Sequence, residues 1–178
     1  GYLHPDNLGR TIGGGFYLFN SNITIKTCLI KYNVAVRGGG LFVDYSNPVL
    51  KGNSINNNKS FFGGGGIYYN RYSNSVFDSN ELNNLYLNYS AMGSDIYKSY
   101  FCEDSLFVYV DTFSVALPEH FFINSGSSHG EFYDDVNIDY QNAKITPINS
   151  DLYVSPDGDD TNSGLTSEEP LQTLSYAL

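Results

Sequence analysis

The residue types best suited to chemistry sit mainly in the second half of this 178-residue chain. Asp134-Asp135 follow shortly after Ser128-His129-Gly130. Two carboxylates can hydrolyse a glycosidic bond when one protonates the leaving oxygen and the other activates water across the sugar. Neighbouring residues of a strand point to opposite faces, so Asp134 and Asp135 do not face one sugar together. Lys144 is the sole Lys or Arg after residue 100, which leaves little to neutralise a uronate. No catalytic residue is assigned. Asp157, Asp159, Asp160 and Asn162 form an oxygen-rich loop whose donors suit Ca²⁺. The EF-hand order fails, because Thr161 and Asn162 stand where its third acidic ligand and its glycine belong. Such Asx-rich turns also bond their own backbone.

A third candidate is aromatic. Tyr17, Phe42 and Tyr68 recur at nearly constant spacing. Stacked in one outward column, they would offer rings to a sugar or a partner protein, or brace the outer face of a sheet.

What positions these residues is a repeat. Gly13-Gly14-Gly15-Phe16, Gly38-Gly39-Gly40-Leu41 and Gly64-Gly65-Gly66-Ile67 lie 25 and 26 residues apart. Gly93-Ser94-Asp95-Ile96 is a weaker copy 29 residues later. A second element runs in phase: Ile25-Lys26-Thr27-Cys28, Leu50-Lys51-Gly52-Asn53 and Phe77-Asp78-Ser79-Asn80. A period near 25 suits a coil of about three short strands. Phe16 and Leu18 alternate, as do Leu41 and Val43, and Ile67 and Tyr69. Alternation places each pair on one strand face. Ile25, Leu50 and Phe77 supply a second inward column, and Ile30, Ile55 and Leu82 a third.

The expected fold is all-β: a parallel β-helix of about four coils over residues 1–102. Gly13, Gly38 and Gly64 are expected to make sharp turns with φ > 0. Asn53 and Asn80 are expected to stack and satisfy turn backbone, since a carboxamide both donates and accepts. Lys26 and Lys51 stack outward. Helical repeats are excluded, because apolar residues do not recur at i, i+3, i+4, i+7.

Charge marks a change near residue 100. Residues 1–100 carry 8 Lys/Arg against 5 Asp/Glu, and residues 101–178 carry 1 against 14. The acidic half argues against a nucleic-acid partner, because phosphate contacts need Lys and Arg. No apolar run of about 18 residues marks a membrane span. Cys28 and Cys102 form no metal motif and are expected as free thiols. Residues 103–150 lose the period and read as a β-rich cap or linking module. Asn22-Ile-Thr24, Asn58-Lys-Ser60 and Asn88-Tyr-Ser90 match the glycosylation acceptor pattern, as chance allows in an Asn-rich chain.

Two resemblances follow. The pairing of Gly64-Gly65-Gly66-Ile67 with Phe77-Asp78-Ser79-Asn80 resembles the repeats of polymorphic outer-membrane proteins, which are autotransporter-type surface proteins. Ile25 and Leu50 depart from the usual Phe, and Cys28 from the Asn. The resemblance covers about residues 13–96. It implies a right-handed β-helix in a secreted or surface protein, at a bacterial outer surface. Residues 151–178, with Tyr153-Val154-Ser155-Pro156, Gly158, Asp160, Gly164, Pro170, Thr173 and Ala177-Leu178, are similar to the strand–loop–helix cap that opens a pectate-lyase-like β-helix. That likeness implies that a further β-helix follows in a larger parent protein. Galacturonan hydrolases of this fold carry Gly-His-Gly and a later Arg-x-Lys. Here Ser128 replaces the first glycine, and no Arg follows. The sequence therefore points to a non-enzymatic surface scaffold that contacts a glycan or surface protein. The alternative is a fragment of a polysaccharide lyase or glycoside hydrolase.

Overall fold

A computed structural model of the chain describes residues 11–102, 104–116, 121–125, 135–145, 148 and 150–174. The chain divides into two compact units, Gly1–Thr146 and Pro147–Leu178.

The first unit is a parallel β-solenoid of about four coils. Its first coil holds β1 (Phe16–Phe19), β2 (Thr24–Lys26), β3 (Leu29–Lys31) and β4 (Val34–Arg37). The second holds β5 (Leu41–Asp44), β6 (Val49–Lys51), β7 (Ser54–Asn56) and β8 (Lys59–Gly63). The third holds β9 (Ile67–Tyr69), β10 (Val76–Phe77) and β11 (Asn83–Tyr86). Then come β12 (Ile96–Lys98), β13 (Leu106–Val115), β14 (Ile123–Ser125) and β15 (Val136–Ile145). The described strands form four parallel sheets: β1-β5-β9-β12-β14, β10-β6-β2, β15-β13-β11-β7-β3 and β4-β8. Within residues 103–150, read from sequence as a β-rich cap or linking module, the described strands β13, β14 and β15 continue two of these sheets.

The inward columns form one core. Leu18, Val43 and Tyr69 stack in register, as do Ile25, Leu50 and Phe77. The third column is Ile30, Ile55 and Leu85, not Leu82. The reason is an enlarged turn after Phe77. Asp78 Oδ1 accepts from the N–H groups of Asn80 and Glu81 at 2.9 and 2.8 Å. The chain bulges outward there, and the next strand enters late.

The same turn corrects the asparagine pairing. Asn80 is exposed on the bulge, and Asn83 stacks on Asn53 instead. Asn53 N–H and Nδ2 donate to Asn83 Oδ1 at 3.0 and 2.9 Å. Asn53 Nδ2 also donates to Ile25 O, while its Oδ1 accepts from Cys28 N–H. A second ladder runs Asn33, Asn58, Asn88, each donating to the Oδ1 of the next. Asp95 ends it: its Oδ1 accepts from Asn88 Nδ2 at 2.9 Å. Asn58 and Asn88 are buried in this ladder, so glycan attachment there is sterically closed.

The glycine triplets set how closely coils approach. Gly38 has φ +63°, and Gly13 and Gly64 have +64° and +62°. At Gly40 a Cβ would lie 2.6 Å from Gly66 O of the next coil. No side chain fits there.

Lys98 lies in the inward column above Tyr69 and is buried. Its ammonium donates to Cys102 O at 2.6 Å and pairs with Asp135. A buried ammonium needs such partners, because desolvation without them is costly. Cys28 and Cys102 are both free. Cys102 is buried and donates to Asn70 O, and burial pushes its thiol pKa up.

In the second unit Val154 bridges Leu171. This isolated bridge stands where the strand of the expected cap would lie. Ala177 and Leu178 lie outside the described residues.

Two tests follow from the ladders. Asn53→Leu is expected to lower unfolding free energy by about 1–3 kcal/mol through unsatisfied turn amides, while Asn80→Leu changes it by less than about 0.5 kcal/mol. Denaturant melts of the two variants decide this, and equal effects would refute the reassigned ladder. Asp95 supplies the second. Burial pushes its carboxyl up to about 7, against the pull of Ser114 and Asn88. The folded state then binds a proton that the unfolded chain, near 3.8, releases. Stability contributed by Asp95 is therefore gained as pH falls from about 7 toward 4 and absent above. The wild type is expected to melt several degrees higher at pH 5 than at pH 8. Asp95→Asn, which keeps the ladder and removes the charge, should flatten that difference.

Candidate functional site

The aromatic column is built by the sheet β1-β5-β9-β12. Outward positions of these strands carry Tyr17, Phe42, Tyr68 and Tyr97 in register. Ring centroids are 5.7, 5.0 and 4.6 Å apart along the column. The Phe42–Tyr68 and Tyr68–Tyr97 pairs are stacked face to face.

Stacking spends the ring faces on one another. Phe42 and Tyr68 are only 3% and 6% exposed. Part of the cover of Tyr68 comes from β8. A Cβ on Gly63 would lie 3.0 Å from the Tyr97 ring and 3.3 Å from Tyr68. Phe62 meets Tyr97 edge-on, and Arg37 lies over Phe62. Burial pushes the Tyr68 hydroxyl up to about 12, with Tyr97 adding and Arg37 opposing. Of the three residues singled out from sequence, Tyr17 alone presents open surface, at 49%.

A second aromatic line begins at Tyr17 and was not legible in the repeat. Phe19 lies 6.4 Å from Tyr17, Tyr45 lies 6.0 Å from Phe19, and Tyr72 lies 5.7 Å from Tyr45. All four rings are exposed. Phe19, Tyr45 and Tyr72 follow their strand starts by three, four and five residues, so a fixed-period alignment separates them. Tyr45 and Tyr72 also hold φ of +50°. That region disfavours bulky L-residues and suits Gly or Asn.

The line has a polar companion. Asp44 is buried and accepts from Arg71 Nε at 3.1 Å and from Asn70 Nδ2 at 3.1 Å. Arg71 also lies 4.9 Å over the Tyr45 ring. The cluster neutralises its own charge while leaving Arg71 donors near the surface. Beside it, a shallow cavity of about 270 Å³ is lined by Arg37, Asn70, Tyr97, Ser99, Tyr100 and Phe101. Flat apolar rings next to planar hydrogen-bonding groups are what a sugar face and its hydroxyls match.

The remaining candidates fall elsewhere. His129 and Asp134 lie outside the described residues. Asp135 is committed to Lys98. Asp78 pairs with Lys51, and Glu81 with Lys26. Lys51 and the turn amides hold the Asp78 carboxyl at about 2. In the oxygen-rich loop, Asp159 Oδ1 accepts from Thr161 N–H and Oγ1. Asp160 accepts from Gln172 and Thr173 N–H and from Thr173 Oγ1. Asn162 Nδ2 donates to Pro170 O, and Asp157 N–H donates to Ser155 Oγ. Among the described residues no three acidic, His or Cys side chains converge as a metal-holding group.

The two aromatic lines should respond differently to substitution. Phe42→Ala is expected to cost about 3–5 kcal/mol. Tyr72→Asn removes an exposed ring but relieves the left-handed backbone, and should change stability by less than about 0.5 kcal/mol. Calorimetry on both variants checks this, and a large loss at Tyr72 would make the outer line structural too.

No curated protein and no solved structure matches the chain. The family model described as right handed beta helix region matches residues 7–117. Parallel strands wound in successive coils are the architecture that this description names. On that match and that geometry, the chain belongs to the right-handed β-helix family.

Proposed function

We propose that this chain is a non-enzymatic scaffold, secreted or displayed at a cell surface, that holds glycan chains against one long face. The single observation that carries this reading is the exposed line Tyr17, Phe19, Tyr45, Tyr72 with Arg71 beside it. A rigid sheet keeps such rings at fixed spacing and lowers the ordering cost of binding. Tyrosines in left-handed corners favour the same reading, because a corner serving the fold alone is better filled by Gly or Asn. The net charge of −10 suits solubility outside a cell.

The alternative is a fragment of a polysaccharide lyase or glycoside hydrolase. Opposed carboxylates are the requirement there. Asp44, Asp78, Glu81 and Asp135 are each spent on a cation of the solenoid itself. This favours the scaffold.

A panel of neutral and acidic polysaccharides, immobilised and probed with the whole chain, tests both readings. Retention without new reducing ends or unsaturated products is expected. Tyr72→Asn, a folded variant, should weaken retention about 2- to 10-fold. Product release would defeat the scaffold reading, and retention indifferent to Tyr72 would defeat the aromatic line.

A further inference from the structure

Most cations of the solenoid are taken up within it. Lys26, Lys51, Arg71 and Lys98 each pair with a carboxylate. Lys31, Lys59 and Lys144 lie over aromatic rings. Arg37 lies over the Phe62 ring and has no carboxylate partner among the described residues. It also lines the cavity of about 270 Å³ beside the aromatic line, whose described lining residues include no carboxylate. In a chain with 19 Asp and Glu against 9 Lys and Arg, this cavity reverses the prevailing charge. Asp44, to which Asn70 donates, is already neutralised by Arg71.

An irregular pairing puts Arg37 there. Ala35 faces Ser60 on β8 but Arg37 faces Gly63, so β8 carries an extra residue between them. A bulge of this kind re-aims side chains. Here it leaves Phe62 against the guanidinium, 4.6 Å from the ring centre. That stacking holds the guanidinium plane and leaves its N–H edge to a ligand. The Arg37 charge also favours the ionised forms of the Tyr68 and Tyr97 hydroxyls, which places it beside both.

The stacked rings Phe42, Tyr68 and Tyr97 floor the cavity. Arg37 and Phe62 precede the strands that carry these rings, while Asn70, Ser99, Tyr100 and Phe101 follow them, so the two groups border the floor from opposite strand ends. Tyr100 and Phe101 are exposed rings with centroids 3.8 Å apart. Asn70 Nδ2 is held by Asp44, which leaves Oδ1 to accept from a hydroxyl. A guanidinium fork matches a carboxylate with two parallel bonds. The volume falls below the roughly 300–1,000 Å³ of sites for drug-sized ligands, so it suits one sugar residue and not a stretch of chain.

We propose that this cavity seats a single carboxylate-bearing sugar residue, at the end or a branch of a glycan, with its carboxylate on the Arg37 guanidinium, its ring against Tyr100 and Phe101, and a hydroxyl on Asn70. The inference rests on the glycan reading and adds the class of sugar that the face selects.

Three probes separate charge from shape: methyl glucuronoside, its methyl ester and methyl glucoside, each titrated against the whole chain by saturation-transfer NMR. The acid is expected to bind roughly tenfold or more tighter than the ester and the glucoside, and salt should shrink that preference. Arg37→Gln should bring the acid to within about twofold of the ester. Arg37→Lys, which keeps the charge and loses the fork, should restore part of the preference. Melting curves check that both variants fold, and the comparison of acid with ester on the wild type needs neither. Equal binding of acid and ester by the wild type, or no transfer to the acid at millimolar concentration, overturns the proposal. So does a preference for the acid that survives Arg37→Gln in a folded variant. In each of these cases polysaccharide retention that depends on Tyr72 leaves the glycan reading standing. An acid preference that depends on Arg37, with no polysaccharide retained, removes that reading and keeps the cavity.

Discussion

The close backbone contact between successive coils is the constraint on which the rest depends. At Gly40 and Gly66 the next lap's carbonyl sits where any side chain would begin, 2.6 and 2.5 Å from a Cβ. This contact brings N–H and C=O groups of equivalent residues within bonding distance, as in Gly14 N–H to Gly38 O at 3.0 Å. Once the laps are that close, side chains one period apart must stack on their like. Aliphatic residues merge into a core, asparagines into ladders, and aromatic rings into columns. The same contact that stabilises the fold therefore arranges the surface.

Stacking explains why single polar residues matter here. A ladder asparagine serves the laps on either side of its own. Asn58 Nδ2 donates both to Asn88 Oδ1 and to Ile30 O. Removing it orphans groups on two laps, and buried orphans cost more than a bond contributes. Where the ladder runs out, Asp95 accepts from Asn88 in place of another carboxamide. A carboxylate in that dry position is the cost of ending the column, and its proton affinity rises accordingly.

Departures from the repeat are where candidate function collects. The extra residues at Asn70–Tyr72 bring Arg71 to Asp44 and turn Tyr72 outward. Near β10 the lap shortens to a two-residue strand that the next lap passes without pairing. A perfectly regular solenoid would offer identical rungs and no distinct site. Irregular laps re-aim side chains as β-bulges do in ordinary sheets.

Residue order alone determined the fold class, the period, the glycine turns and two of the three inward columns. These rest on local steric preference and on alternation, which any short stretch of chain reveals. It also placed Tyr17, Phe42 and Tyr68 in one outward column. It did not determine that Phe42 and Tyr68 are covered, because their faces are closed by stacking on neighbouring laps and, at Tyr68, by the end of β8 from the preceding lap. It set Asn80 and Leu82 in columns that Asn83 and Leu85 occupy, because a turn closed by Asp78 absorbs the shift without a compositional sign. The ion pair of Lys98 with Asp135 joins residues 37 positions apart, and an inward lysine looks like a surface one until its neighbours are known. Which rings stay open depends on how long each turn is in three dimensions. That length is settled only when whole laps pack against one another.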